Sequence, residues 1–143
     1  MELTVDIVTP ERLIMQTHAD AVIVPAVDGE LGIWPAHAPL LAQLRPGQIR
    51  LQRDKATELF AVSGGFVEVI NNRVTVLAET AELAHEIDAE RARHAAEQAR
   101  VILRSPRSSQ ELAQAEAALQ RALIRLHVAE ILRSHSNRSS KSR

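Results

Sequence analysis

His37 is the residue most open to a chemical role. It lies in the loop DGELGIWPAHAPLL (Asp28–Leu41), which also holds two glycines, two prolines and the only tryptophan, and loops set on a rigid scaffold are where catalytic groups concentrate. A base needs something to activate, however, and the loop offers no Ser, Cys or Lys and no second ligand at metal spacing. The other histidines (His18, His85, His94, His127, His135) are scattered, and none forms the i, i+4 pair with a Glu that marks a zinc hydrolase helix. Gly64-Gly65 is not followed by Lys-Ser or Lys-Thr, so no phosphate-cradling loop is present and the pair reads as a bulge or tight turn. The chain has no cysteine, which removes thiol nucleophiles, thiolate metal sites and disulfides together. These observations point to no catalytic residues and no metal site. A small hydrolase built on His37 lacks its partners, and the loop fits better as a surface that Pro35 and Pro39 hold in one shape, presenting Leu31, Ile33, Trp34, Leu40 and Leu41.

One other constellation could bind a ligand. Glu82, Ile87, Asp88, Arg91 and Ala92 read E…ID..RA, and Arg121 and Arg125 lie four residues apart on one helical face. If the C-terminal segment folds back, three guanidiniums converge beside a carboxylate and an apolar edge. Arginines clamp phosphates, and Asp or Glu accepts from an adenine amino group or a ribose hydroxyl. On residue chemistry alone the same residues fit a plainer role better, with Asp88 as a helix cap and the arginines on a solvated face.

The elements that must position these groups change character near Glu82. From Leu3 to Glu79 the pattern has a period of two: LTVDIVT puts Leu3, Val5 and Ile7 on one face, ELFAVS alternates loosely, and VEVI and VTVLA join through Asn71-Asn72, a two-residue hairpin signal. Breaks at Thr9-Pro10, Asp28-Gly29, Pro46-Gly47 and Gly64-Gly65 punctuate short strands, as in an antiparallel sandwich or barrel. Beyond Glu82, Ala89, Ala92, Ala96, Ala99 and Leu103 recur at helical spacing; SPRSSQE interrupts; then Leu112, Ala115, Leu119, Ala122, Leu126 and Ala129 resume it. Asp88 is a candidate N-cap, Ser108 with Glu111 forms a capping box, and Pro106 ends the first helix near Ser105. The expected class is therefore α+β in two domains. An N-terminal antiparallel β-sandwich over 1–84 precedes a C-terminal antiparallel two-helix hairpin over 85–135, and the Ser-rich basic stretch 136–143 is expected to be a disordered tail. Stripes made of alanine bury little area each, so the hairpin should be marginal and open to alternative packings.

Charge divides at the same place. Residues 1–84 carry 6 Lys/Arg against 11 Asp/Glu, a net of −5, whereas residues 85–143 carry 11 against 7, a net of +4. The basic part has no aromatic residue to stack on bases and no recognition motif, so no nucleic-acid partner is expected. No apolar run is long enough to span a membrane, and MELTVDIVTP lacks the features of a signal peptide, so an intracellular, soluble chain is expected.

Taken in order, GELGIWPAHAPLL (Gly29–Leu41), PGQIRL (Pro46–Leu51), VSGGFVEV (Val62–Val69), VTVLAETAE (Val74–Glu82) and ALQRALIRLHVA (Ala118–Ala129) resemble the ε subunit of the bacterial and chloroplast F-type rotary ATP synthase, from about Leu3 to Ala129. The resemblance implies a noncatalytic central-stalk subunit that couples proton flow to ATP synthesis, peripheral to the cytoplasmic face of the bacterial inner membrane. Its partners would be the γ subunit, the c-ring and the catalytic α/β subunits. Glu30, Leu31, Gly32, Ile33, Trp34 and His37 would face the c-ring and γ. The hairpin would be a movable inhibitor of ATP hydrolysis, with Arg100, Arg104, Arg121 and Arg125 meeting acidic segments of the β subunit when extended.

Some bacterial members hold ATP through I-D-x-x-R-A, which Ile87, Asp88, Arg91 and Ala92 match, with Glu82, Arg121 and Arg125 completing the set. Where ATP-binding relatives can carry a further arginine in the first helix, this chain has Gln98. No cofactor is required on this reading, and ATP would be a regulatory ligand. A free-standing ATP-sensing module is the alternative.

Overall fold

The computed structural model describes residues 2–132 in full and 133–141 as backbone, so the tail expected over 136–143 falls outside the fully described residues. Two compact units emerge, Met1–Leu83 and Ala84–Arg143.

The first unit is built of ten strands: β1 Leu3–Val8, β2 Leu13–Ala19, β3 Ala21–Ala26, β4 Gly29–Ile33, β5 Leu40–Leu44, β6 Gly47–Arg53, β7 Ala56–Val62, β8 Gly65–Ile70, β9 Arg73–Ala78 and β10 Ala81–Leu83. They pair in the order β10-β7-β6-β3-β5-β8-β9-β1-β2, with β4 on β3. Alternation decides what each strand buries. Leu3, Val5 and Ile7 of β1 are fully buried, as are Val67 and Val69 of β8 and Val74 and Val76 of β9, and with Ile33, Ile49, Leu51 and Phe60 they form one core. The pairing is antiparallel except between β1 and β9, which run parallel with Val5 opposite Val74. That exception to the expected antiparallel pattern brings two strands far apart in sequence side by side. Asp6, 8% exposed, meets Arg73 across this pair at 2.6 Å.

Turn chemistry sets the strand ends. Asn71 and Asn72 take φ of 49° and 61°, the left-handed pair that a two-residue hairpin between Ile70 and Arg73 requires. Gly65 has φ of 126°, and a Cβ there would run into the Leu77 carbonyl of the neighbouring strand, so only glycine lets β8 start this close to β9. Pro25 sits in β3 where that strand hands its pairing from β6 (Ala21–Ile23) to β5 (Ala26), a place where a missing N–H breaks no ladder.

The second unit opens with one 3-10 turn, Ala84–Glu86, followed by α1 Ala89–Arg104 and α2 Ser109–Lys141. Asp88 caps α1: its Oδ1 accepts from the Glu90 and Arg91 amides, both at 3.1 Å. Ser108 Oγ accepts from the Glu111 amide at 3.1 Å and starts α2. α1 buries Ala92, Ala96 and Ala99, and α2 buries Ala115, Ala122 and Val128, while Leu103, Leu112, Leu119 and Leu126 are half-buried. Each alanine contributes one methyl, worth about 0.8 kcal/mol when buried, so this is a thin interface by the standard of a leucine seam.

Candidate functional site

The loop that carries His37 grows out of the β3–β4 hairpin, in which Val22 to Ala26 pair with Ile33 to Gly29. Period-two alternation sends Glu30, Gly32 and Trp34 to one side and Leu31 and Ile33 to the other. Ile33 is 0% exposed and Leu31 packs against the same core. The expectation that Ile33 faces a partner therefore needs correction: its side chain is core, and replacing it with an acid would bury a charge rather than weaken a contact. Glu30 is exposed and paired with Arg50 of β6 at 3.2 Å. A Cβ on Gly32 would collide with the Trp34 ring, so the six-membered ring of the indole rests against β4 at Gly32 with 55% of the residue still open.

After Trp34 the chain turns back. The His37 amide donates to the Trp34 carbonyl at 3.2 Å, with Pro35 second in the turn and Ala36 third at φ of 66°, the pattern of a type II turn. The Ala36 amide donates to Oδ1 of Asn72 at 2.6 Å. His37 Nδ1 lies 2.8 Å from the Ala38 carbonyl, and because a carbonyl only accepts, that nitrogen carries the hydrogen. The imidazole is thus held by its own loop. Beside Glu30, the large side chains that remain open are apolar, Trp34 at 55% and Leu41 at 67%. A rigid turn bearing exposed aromatic and aliphatic side chains suits docking, where a preformed shape lowers the cost of ordering on binding.

In the second unit, Asp88, Glu90, Arg91, His94, Ala95 and Gln98 line an open hollow of about 410 Å³. Asp88 and Arg91 are therefore brought together, and Gln98 joins them two turns along α1. Glu90, His94 and Ala95 lie outside the E…ID..RA pattern; His94 and Ala95 follow Arg91 at i+3 and i+4 on the same helical face, and Glu90 is its chain neighbour. Ala92 is buried, Ile87 is half-buried, and Arg121 and Arg125 stand one turn apart on α2 outside the hollow's lining. Glu82 belongs to β10 in the other unit. The Asp88 carboxylate spends Oδ1 on the two helix amides, which leaves Oδ2 on the far side of the group from the cap. Among the described residues no group of three His, Asp or Glu is placed to hold a metal ion, and no helix is long and apolar enough to cross a membrane.

Comparison with known proteins gives the same division of the chain. Residues 2–84 match the β-sandwich domain of the ATP synthase delta/epsilon chain, and residues 85–130 match the long α-helix domain of that chain. The ATP synthase epsilon chain of Herpetosiphon aurantiacus is 46% identical over 94% of this chain and 98% of the relative, and that of Symbiobacterium thermophilum is 47% identical over 92% and 95%. Among solved structures, a chain of the Euglena gracilis mitochondrial ATP synthase (OSCP/F1/c-ring) superposes with a TM-score of 0.73 at 26% identity, covering 83% of this chain and 76% of its own.

Proposed function

The chain belongs to the ATP synthase delta/epsilon chain family, and from that premise we propose that this noncatalytic stalk subunit couples rotation of the c-ring to ATP synthesis by docking through its Gly29–Leu41 loop. The observation that carries the proposal is the loop itself: Trp34 and Leu41 are exposed, while the backbone between them is pinned by Pro35, Pro39 and the Ala36–Asn72 hydrogen bond. Glu30, Leu31, Gly32 and His37 shape this surface, Leu31 from the core side, and the γ subunit and the c-ring are the partners it would meet. The subunit would then lie on the cytoplasmic face of the bacterial inner membrane, attached through the complex. The test is ATP-driven proton pumping in inverted membranes carrying Trp34→Asp. Trp34 is half open, so the substitution leaves the core intact; pumping should fall while the melting temperature of the isolated chain holds. Unaltered pumping would overturn the docking role.

The hairpin is proposed to act as a regulator of ATP hydrolysis. An interface of alanine methyls makes two packings of similar free energy physically accessible, which a switch of this kind needs. Arg100, Arg104, Arg121 and Arg125 would meet acidic segments of the catalytic β subunit in the inhibitory arrangement. ATP is proposed as a regulatory ligand of the hairpin, with Asp88 and Arg91 in the α1 hollow and Ile87, Arg121 and Arg125 as further contacts, while Ala92, 0% exposed, serves packing instead. Nothing favours a free-standing sensor, since the family match spans both units.

A further inference from the structure

We propose that Asn72, in the turn between β8 and β9, is a positioning residue for the docking loop: its carboxamide holds the Trp34–His37 turn in the shape that the loop presents. The inference rests on the docking role proposed above. Both turn residues take positive φ, which glycine adopts at least steric cost, so the backbone alone would be served by glycine at position 72. An asparagine there adds an acceptor, and its Oδ1 takes the Ala36 amide hydrogen at 2.6 Å from 36 residues away in sequence. Ala36 is the residue of the loop that needs help, because an L-residue at φ of 66° is disfavoured without a compensating contact. The brace is itself anchored: the Asn72 carbonyl accepts from the Thr4 amide of β1 at 2.8 Å, and Ile70 and Arg73 pair on either side of the turn. A loop that would otherwise hang from the ends of β4 and β5 is therefore tied to the rigid β8–β9–β1 part of the sheet. The fixed point lies two residues from Trp34.

Three substitutions in the full chain separate this role from a structural one. Asn72→Gly keeps the positive φ and deletes the acceptor; Asn72→Asp keeps both; Asn71→Gly relaxes the same turn without touching the loop. Amide exchange of Ala36 should quicken about fivefold or more in Asn72→Gly and stay within about twofold of the native chain in the other two, with the β8 and β9 ladder amides unmoved. Unchanged Ala36 exchange in Asn72→Gly would overturn the brace, as would equal quickening of the β8 and β9 amides, which would make Asn72 a hairpin residue only. Exchange is read on the chain by itself, so it does not depend on what the loop docks against. Proton pumping in membranes then completes the test. It should fall in Asn72→Gly and recover in Asn72→Asp; pumping lost in Trp34→Asp but untouched in Asn72→Gly would overturn the positioning role alone, leaving the docking role in place.

Discussion

Asp88 caps α1 and is proposed to hold ATP, and the two roles can be separated quantitatively. Its Oδ1 takes two backbone hydrogens at the start of α1, both at 3.1 Å. Losing such a cap costs about 1 kcal/mol, and losing a carboxylate at an exposed helix N-terminus costs a further few tenths, about 0.3 kcal/mol. Asp88→Ala should therefore weaken α1 by about 1.3 kcal/mol, which is close to tenfold in its opening equilibrium. Asp88→Asn keeps the accepting oxygen and loses only the charge, so its effect should stay near about 0.3 kcal/mol. The assay is amide exchange along α1 under conditions where exchange follows the opening equilibrium. Protection of Ala95 to Arg104 should drop about tenfold in Asp88→Ala and less than twofold in Asp88→Asn. Calorimetric titration with Mg-free ATP then reads the second role. If the carboxylate holds nucleotide, Asp88→Asn binds ATP more weakly although its helix is intact. Equal protection of α1 in Asp88→Ala and the native chain would refute the capping argument, and native ATP affinity in Asp88→Asn would remove Asp88 from the ligand site.

Two further expectations follow from the same geometry. Gly32→Ala should lift the indole of Trp34 off β4, because the added Cβ occupies the place of the ring and the ring, not the backbone, can move. As Trp34 is the only tryptophan, its fluorescence should shift to the red while melting changes little; an unshifted spectrum would show that the ring does not rest on Gly32. Deleting everything after Glu86 removes α1 and α2 and keeps the strand unit, which has its own core. Membranes with the truncated chain should assemble normally and hydrolyse ATP faster than native ones, and unchanged hydrolysis would remove the inhibitory role of the hairpin.

How far the sequence could be read depended on how local each signal was. Leu3, Val5 and Ile7 alternate within one strand, Asn71-Asn72 is a contiguous turn, and Asp88 and Ser108 cap the helices they precede, so these features were legible residue by residue. The parallel pairing of β1 with β9 was not, since it joins segments some 69 residues apart, as between Val5 and Val74, through no motif in either. The same holds for Arg50 on Glu30, Arg73 on Asp6 and Asn72 on Ala36, contacts set by sheet order rather than by neighbours in the chain. Ile33 is the residue a loop reading of this stretch places wrongly, because strand β4 continues through it and its alternation turns it inward. In the helical unit Gln98 is reached only through the family resemblance, and the place of Arg121 and Arg125 depends on how α2 packs on α1, which no local spacing fixes.

The docking claim is tested most directly by cross-linking. Because the chain has no cysteine, Leu41→Cys creates a unique attachment point on a side chain that is 67% exposed at the edge of the loop, and a short photo-reactive maleimide can be placed there before reassembly into the synthase. The account predicts that illumination joins this position to a central-stalk or c-ring subunit, and that Trp34→Asp reduces the yield. Adducts confined to the α or β subunits, or a yield indifferent to Trp34→Asp, would contradict it.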